Sequence, residues 1–203
     1  MKTLDEILHF IIQRHSYGNI NYYDLKYLHH FFNGKKEIVE LGTCMGTTTK
    51  IFSMLSEHVT TIDIFEKVDL IEDKEQQEFY KKNFSGNKNT YENIKKRLEK
   101  QKNITIIQNV SYKAAEEFKD NSFDAIFIDA DHSYEGVKKD FESWYPKIKI
   151  DGVIVFHDIF KGSHIEEYYN LELKTNKGII ENMIPDKDKN LTTVRGFVKC
   201  EQS

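Results

Sequence analysis

One short stretch constrains this chain most. Glu37–Leu41 is an apolar run, Gly42-Thr43-Cys44-Met45-Gly46 follows, and Thr47–Ser56 is helix-forming. A strand that ends in glycines and passes straight into a helix is a ligand-binding turn. Glycine admits φ > 0 and close backbone approach, and the helix start offers unpaired N–H groups. Such a turn needs a parallel sheet around it, and the downstream sequence provides one. Apolar runs at Val59–Ile64, Ile104–Gln108, Phe123–Ile128 and Val153–Phe156 alternate with amphipathic stretches at Tyr91–Lys100, Ala114–Phe118 and Glu135–Ile148. Continuous apolar strands between amphipathic helices predict a sheet covered on both faces. Right-handed crossovers then make it doubly wound and Rossmann-like. The expectation is an α/β fold with a mostly parallel seven-stranded sheet, its antiparallel member at Leu191–Cys200.

The 203 residues suit one domain, 1–203. Residues 1–34 carry two amphipathic helices, Leu4–Ile12 and Tyr22–Phe32. They open no βαβ unit and read as an N-terminal helical cap, which could cover a substrate, form a homodimer seam or simply shield the core. Glu66–Asn89 is a long, charged insertion dotted with Phe79, Tyr80 and Phe84, placed beside the expected cleft. It is either a lid or binding element, or a surface insertion. Gly162–Lys174 reads as a further helix. Net charge is -4, without the basic excess that nucleic acid or an anionic membrane selects. Lys95, Lys96 and Arg97, and Lys138 and Lys139, alternate with acids and read as solvated helix faces. No apolar stretch reaches the roughly 18 residues of a membrane span, and Met1-Lys2-Thr3-Leu4 does not open a signal peptide. Cys44 and Cys200 form no metal or disulfide pattern. A cytoplasmic enzyme without nucleic-acid or membrane partners is the expectation.

Ligands of doubly wound sheets bind beyond the carboxyl ends of the strands. Gly42, Asp63, Ser111, Asp129 and Asp158 stand there. A carboxylate at Asp63, ending the second strand, can accept both hydroxyls of a ribose. A dinucleotide fingerprint requires G-x-G-x-x-G, and its second glycine is Cys44 here. The loop therefore suits a nucleoside with a zwitterionic tail better than a pyrophosphate. An NAD-dependent oxidoreductase remains the alternative on the same fold. Cys44 reads as a small residue filling a turn.

On these residues the chain resembles the class I methyltransferases. Glu40-Leu41-Gly42-Thr43-Cys44-Met45-Gly46 is similar to their first motif, in the E-x-G-T-x-x-G form. The resemblance implies S-adenosylmethionine as cofactor. Glu40 and the loop backbone (Gly42, Thr43, Cys44, Gly46, Thr47) would hold its methionine part, and Asp63 its ribose. Ser111 would lie near the adenine, where Val110 replaces the usual acid.

A second group follows the fourth and fifth strands: Asp129-Ala130-Asp131-His132 and His157-Asp158. Neighbouring strand ends bring these three acids and two histidines together. Hard carboxylate oxygens suit Mg²⁺ or Mn²⁺, a bound cation lowers the pKa of a hydroxyl, and a histidine can take the proton. Ile128-Asp129-Ala130-Asp131-His132-Ser133-Tyr134-Glu135-Gly136-Val137, with Trp144-Tyr145-Pro146, Asp151-Gly152 and Val155-Phe156-His157-Asp158, resembles the macrolide-sugar and rhamnosyl O-methyltransferases. The likeness runs from Ile38 to Asp158. It implies a small-molecule hydroxyl substrate, Asp129, His157 and Asp158 as metal ligands, and His132 with Asp129 as catalytic residues beside the cofactor's methyl group. Position 157 is often acidic in metal-dependent relatives, and the histidine here favours Mn²⁺ or a softer ion. A cofactor-binding module without catalysis is the non-enzymatic alternative.

Overall fold

The computed structural model describes residues 1–13, 20–84, 90–182 and 191–201. His15, Pro185 and the 85–89 end of the insertion lie outside the described residues, as do the side chains of Ile11, Ile12, Phe79 and Phe84. In chain order the elements are α1 (Leu4–Gln13), α2 (Tyr22–Phe32), β1 (Glu37–Leu41), α3 (Thr47–Leu55), β2 (His58–Asp63), α4 (Lys74–Phe84), α5 (Tyr91–Leu98), β3 (Ile104–Gln108), α6 (Ser111–Ala114), β4 (Phe123–Ile128), α7 (Tyr134–Trp144), β5 (Ile148–Phe156), α8 (His164–Leu171), β6 (Ile179–Asn182) and β7 (Arg195–Lys199).

The strands form one seven-stranded sheet in the order β3-β2-β1-β4-β5-β7-β6. The β1–β5 pairings are all parallel, and β7 runs antiparallel to both neighbours. This is the expected doubly wound, Rossmann-like sheet. Its strand order reverses between β1 and β4, so the loops after those two strands diverge and open the ligand crevice.

Strand alternation divides the core in two. Ile38, Val59, Ala125, Phe127 and Val155 face α1, α2 and α3, whereas Val39, Leu41, Ile62, Ile126, Ile128 and Phe156 face α6, α7 and α8. The two faces need different partners because successive strand side chains point oppositely. On the first face Phe32, Phe52 and Phe127 meet at ring separations of 4.3 to 6.2 Å. The N-terminal cap is therefore part of the layer that buries the sheet: Ile7, Leu25, Leu28, Phe31 and Phe32 are core residues.

Five elements differ from the sequence expectation. The pattern through Ile148 suggests one long helix, but α7 ends at Trp144. Pro146 sits in a single 3₁₀ turn at Tyr145–Lys147, and Ile148 opens β5. Proline cannot continue the helix, so its apolar spacing passes into a strand. β5 thus starts five residues before the predicted Val153, across the left-handed Asp151 (φ +62°). The helix expected from Ala114 starts at Ser111, because Val110 gives no side-chain cap to mark it. Within the insertion lies a full helix, α4, which the charged composition of Lys74–Phe84 concealed. β6 was not located in the sequence. It spans only four residues at the sheet edge, where one face stays in solvent.

Candidate active site

Four loops begin at one level. The sheet's hydrogen bonding continues one residue past the strands: Gly42 N–H donates to Ile62 O (2.8 Å), Asp129 N–H to Leu41 O (3.0 Å), His157 N–H to Ile128 O (3.2 Å), and Asn109 N–H to Asp63 O (3.1 Å). The residues predicted from sequence therefore sit side by side along the carboxyl edge.

Gly42 is the tightest point. Its φ is +93°, and a Cβ there would lie 2.2 Å from the Asp129 carbonyl oxygen. Only glycine lets the β1 and β4 loops approach this closely. Gly46 (φ +73°) ends the turn, its N–H donating to Thr43 O at 2.7 Å, and α3 starts directly after it. Asp63 holds the loop from the side: its carboxylate accepts from Thr43 N–H and Cys44 N–H (both 2.9 Å) and from Phe65 N–H (2.7 Å). Burial pushes the Asp63 pKa up despite these bonds. Burial and the Asp63 charge also raise the Cys44 thiol, as befits a turn filler rather than a nucleophile. Arg97 donates to Met45 O at 2.8 Å. Arg97 lies on the exposed face of α5, as expected, and this bond ties it to the loop.

Glu40 lies beneath the loop. It is fully buried, and its Oε2 accepts from the hydroxyls of Thr49 (2.5 Å) and Thr61 (2.6 Å), with Thr61 in turn 2.6 Å from Thr43 Oγ1. Burial pushes its pKa up to about 8, and the Asp129 and Asp63 charges add to the rise. The Glu40 side chain thus braces the loop from below. Ser111 opens α6, and its hydroxyl donates to Asp140 Oδ1 at 2.5 Å. Asp140 was not anticipated. It is 1% exposed, its Oδ2 has no hydrogen-bond partner, and burial raises its pKa to about 7. Its place on the apolar stripe of α7, between Val137 and Trp144, was the available signal.

The acid–histidine group converges as predicted, with one exchange. His132 Nε2 lies 3.2 Å from Asp129 Oδ1, and its Nδ1 lies 3.4 Å from Asp158 Oδ2. Asp129, His132 and Asp158 form the one set among the described residues whose donor atoms could share an ion, all within 4.8 Å of one another. His157, expected as the nitrogen ligand, sits behind them at 2% exposure. Its Nδ1 faces Asp129 Oδ1 (3.2 Å) and Asp158 Oδ1 (3.3 Å), and its Nε2 faces Asp24 Oδ2 (3.9 Å). Of the expected ligands Asp129, His157 and Asp158, His157 is buried and turned inward just past β5, and the donor atoms that lie within reach of one ion are those of Asp129, His132 and Asp158. Burial opposes charge on His157, but the Asp129 carboxylate bonded to it and the nearby Asp24 and Asp158 carboxylates prevail and push its pKa up to about 10. Burial likewise opposes charge on Asp129, yet the two histidines hold its pKa below the ordinary value. The Asp129 hydrogen bond raises that of His132. Asp158 adopts a left-handed backbone (φ +56°), which costs roughly 1 kcal/mol or more in a residue other than glycine.

Asp131 flanks this group. It accepts from Ser133 N–H at 2.9 Å and from the Gln76 side chain of α4. Ser133 itself caps α7, its hydroxyl accepting from Gly136 N–H at 3.1 Å. With Lys113–Glu72 (2.7 Å), the Gln76 bond ties the insertion across the crevice between the β2 and β4 loops.

A family model described as "Methyltransferase domain" matches residues 39–159, more than half the chain. The chain belongs to this methyltransferase family. Residues 39–159 are accordingly an S-adenosylmethionine-dependent methyltransferase domain, and the matched span covers every predicted cofactor and metal residue. Solved structures agree on the fold. A methyltransferase from Geobacter sulfurreducens aligns with TM-score 0.60 at 13% identity, over 98% of this chain and 88% of its own. An O-methyltransferase from Bacillus cereus, in complex with SAH, aligns with TM-score 0.56 at 16% identity (98% and 92%). An rRNA methylase from Streptococcus thermophilus aligns with TM-score 0.54 at 11% identity (87% and 93%). At such identities these likenesses concern the fold alone. A curated relative, "Uncharacterized protein y4gI" of Sinorhizobium fredii, is 42% identical over 45 residues, which are 22% of this chain and 5% of that protein. No helix among the described residues is long and apolar enough to cross a membrane.

Proposed function

We propose that this methyltransferase acts on a hydroxyl of a small molecule, such as a sugar or other natural product, with a divalent cation assisting. The observation that carries the reading is the convergence of Asp129, His132 and Asp158 within 4.8 Å, directly beside the Gly42 loop. The bound S-adenosylmethionine would supply an electrophilic sulfonium methyl group. The Gly42–Gly46 backbone, the helix start at Thr47, Asp63 at the ribose and Ser111 near the adenine would hold that cofactor. The left-handed turn at Gly42 and the close approach of the β1 and β4 loops there support this reading.

A hydroxyl is a weak nucleophile until its proton leaves. His132 would take that proton, and Asp129 and Asp158, within 3.4 Å of its two ring nitrogens, would stabilise the imidazolium that results. The carboxylate oxygens of Asp129 and Asp158 would hold Mn²⁺ or Mg²⁺, which would lower the pKa of an acceptor hydroxyl and leave the His132 imidazole to take its proton. The net charge of -4 supports a small-molecule acceptor over a polyanionic one.

The test measures S-adenosylhomocysteine release across a panel of sugars and phenols, with Mn²⁺ and with excess EDTA. Turnover should require the cation and vanish in Asp158→Ala. Full activity in EDTA removes the metal from the reading. Turnover on RNA but on no hydroxyl of the panel replaces the acceptor class.

A further inference from the structure

We infer that Asp24, on the N-terminal cap, is a positioning residue of the acid–histidine site: through the buried imidazole of His157 it sets the orientation of the Asp129 and Asp158 carboxylates. The functional meaning of this role rests on the methyltransferase site described above. Asp24 is 1% exposed and stands on the apolar face of α2, one turn before Leu28. A carboxylate in that position must be paired. Its Oδ1 accepts from Thr192 Oγ1 (2.7 Å) and Thr193 N–H (2.9 Å), and its Oδ2 from Asn21 N–H (3.0 Å). The side of Oδ2 left open faces His157 Nε2 at 3.9 Å.

That nitrogen is the telling atom. His157 Nε2 is buried and makes no hydrogen bond to any of the described residues, while Nδ1 of the same ring lies between Asp129 Oδ1 and Asp158 Oδ1. An imidazole is rigid, so an anion fixed at one nitrogen fixes the direction of the other. The Phe127 ring, 5.7 Å away by centroid, closes one flank of the imidazole. Asp24 itself is held by two segments, the start of α2 and the chain before β7. The second of these also clasps the end of β5, through Ile159 N–H to Thr193 O at 2.9 Å. Both segments lie outside the span 39–159 that the family model matches. The cap and the C-terminal strand thus contribute to the site by locking its innermost ring.

A purely structural Asp24, tying α2 to β7, makes a different forecast. The two are separated by ¹⁵N-histidine NMR of the full chain, with His157 assigned by comparison with His157→Gln. The wild type should show a His157 Nε2–H proton protected from exchange. Asp24→Asn, which keeps the side-chain shape, and Asp24→Ala should shift or lose that signal. Thr192→Val, which removes one of the hydrogen bonds between Asp24 and the chain before β7, should leave it in place. Mn²⁺ affinity should fall about tenfold in Asp24→Asn, with S-adenosylhomocysteine affinity held within about twofold. A His157 signal unchanged in both Asp24 variants overturns the inference, as does an equal shift in Thr192→Val. A wild type that binds neither S-adenosylhomocysteine nor Mn²⁺ defeats the proposed function instead, and the ring signal still decides the role of Asp24.

Discussion

Glu40→Gln gives the sharpest physical test of how the cofactor loop is built. The Glu40 carboxyl is fully buried, accepts two threonine hydroxyls through Oε2, and has no hydrogen-bond partner at Oε1 among the described residues. Its pKa rises from 4.5 to about 8, chiefly by burial. A raised carboxyl pKa means that the folded state binds the proton more tightly than the unfolded chain. The resulting stability is full below pH 4.5 and is lost as pH rises to about 8. At about 1.4 kcal/mol per pH unit, the loss across that window is on the order of 5 kcal/mol. For a chain of this size that corresponds to a fall in Tm on the order of 10 °C or more. Glutamine keeps an acceptor for Thr49 and Thr61 and cannot ionise. Thermal unfolding of both proteins from pH 5 to pH 9 should therefore show the wild type falling away from Glu40→Gln as pH rises. At pH 7 the wild-type carboxyl is mostly neutral, so the variant should bind S-adenosylhomocysteine about as well. Parallel stability curves, or a tenfold loss of affinity at pH 7, would refute the reasoning. The second result would make the Glu40 charge a direct cofactor contact.

Gly42→Ala should lower stability by about 2–4 kcal/mol and weaken S-adenosylhomocysteine binding at least about tenfold, because its Cβ would stand 2.2 Å from the Asp129 carbonyl at a left-handed φ; urea unfolding and calorimetry measure both. Asp140→Asn should flatten the stability profile between pH 4 and 7. The folded carboxyl has its pKa raised to about 7, and that stabilisation disappears as pH climbs through the window, by up to about 4 kcal/mol. Phe127→Ala should cost about 3–5 kcal/mol in unfolding free energy, since the ring is fully buried against Phe32 and Phe52.

Much of this was legible in the chain. The doubly wound sheet followed from apolar runs alternating with amphipathic ones, and the two glycines marked the crevice because no other residue fits there. Asp129, His132 and Asp158 were found because strand ends are level in a parallel sheet. Their pairing was not legible: whether 157 or 158 faces the crevice depends on the backbone beyond β5, where Asp158 turns left-handed. The burial of Asp24 and Asp140 is not legible for a related reason. Their partners are distant in sequence, and a single charge on an apolar stripe reveals its burial only when that partner is present. The β5 start and β6 were obscured by Pro146 and by the shortness of an edge strand.

The most direct measurement is calorimetric titration of the full chain with S-adenosylhomocysteine, in parallel with Gly42→Ala. Saturable one-to-one binding by the wild type, weakened at least about tenfold in the variant, is the predicted result. No heat at millimolar ligand, or equal affinity in the two proteins, would contradict a cofactor site built on the Gly42–Gly46 loop.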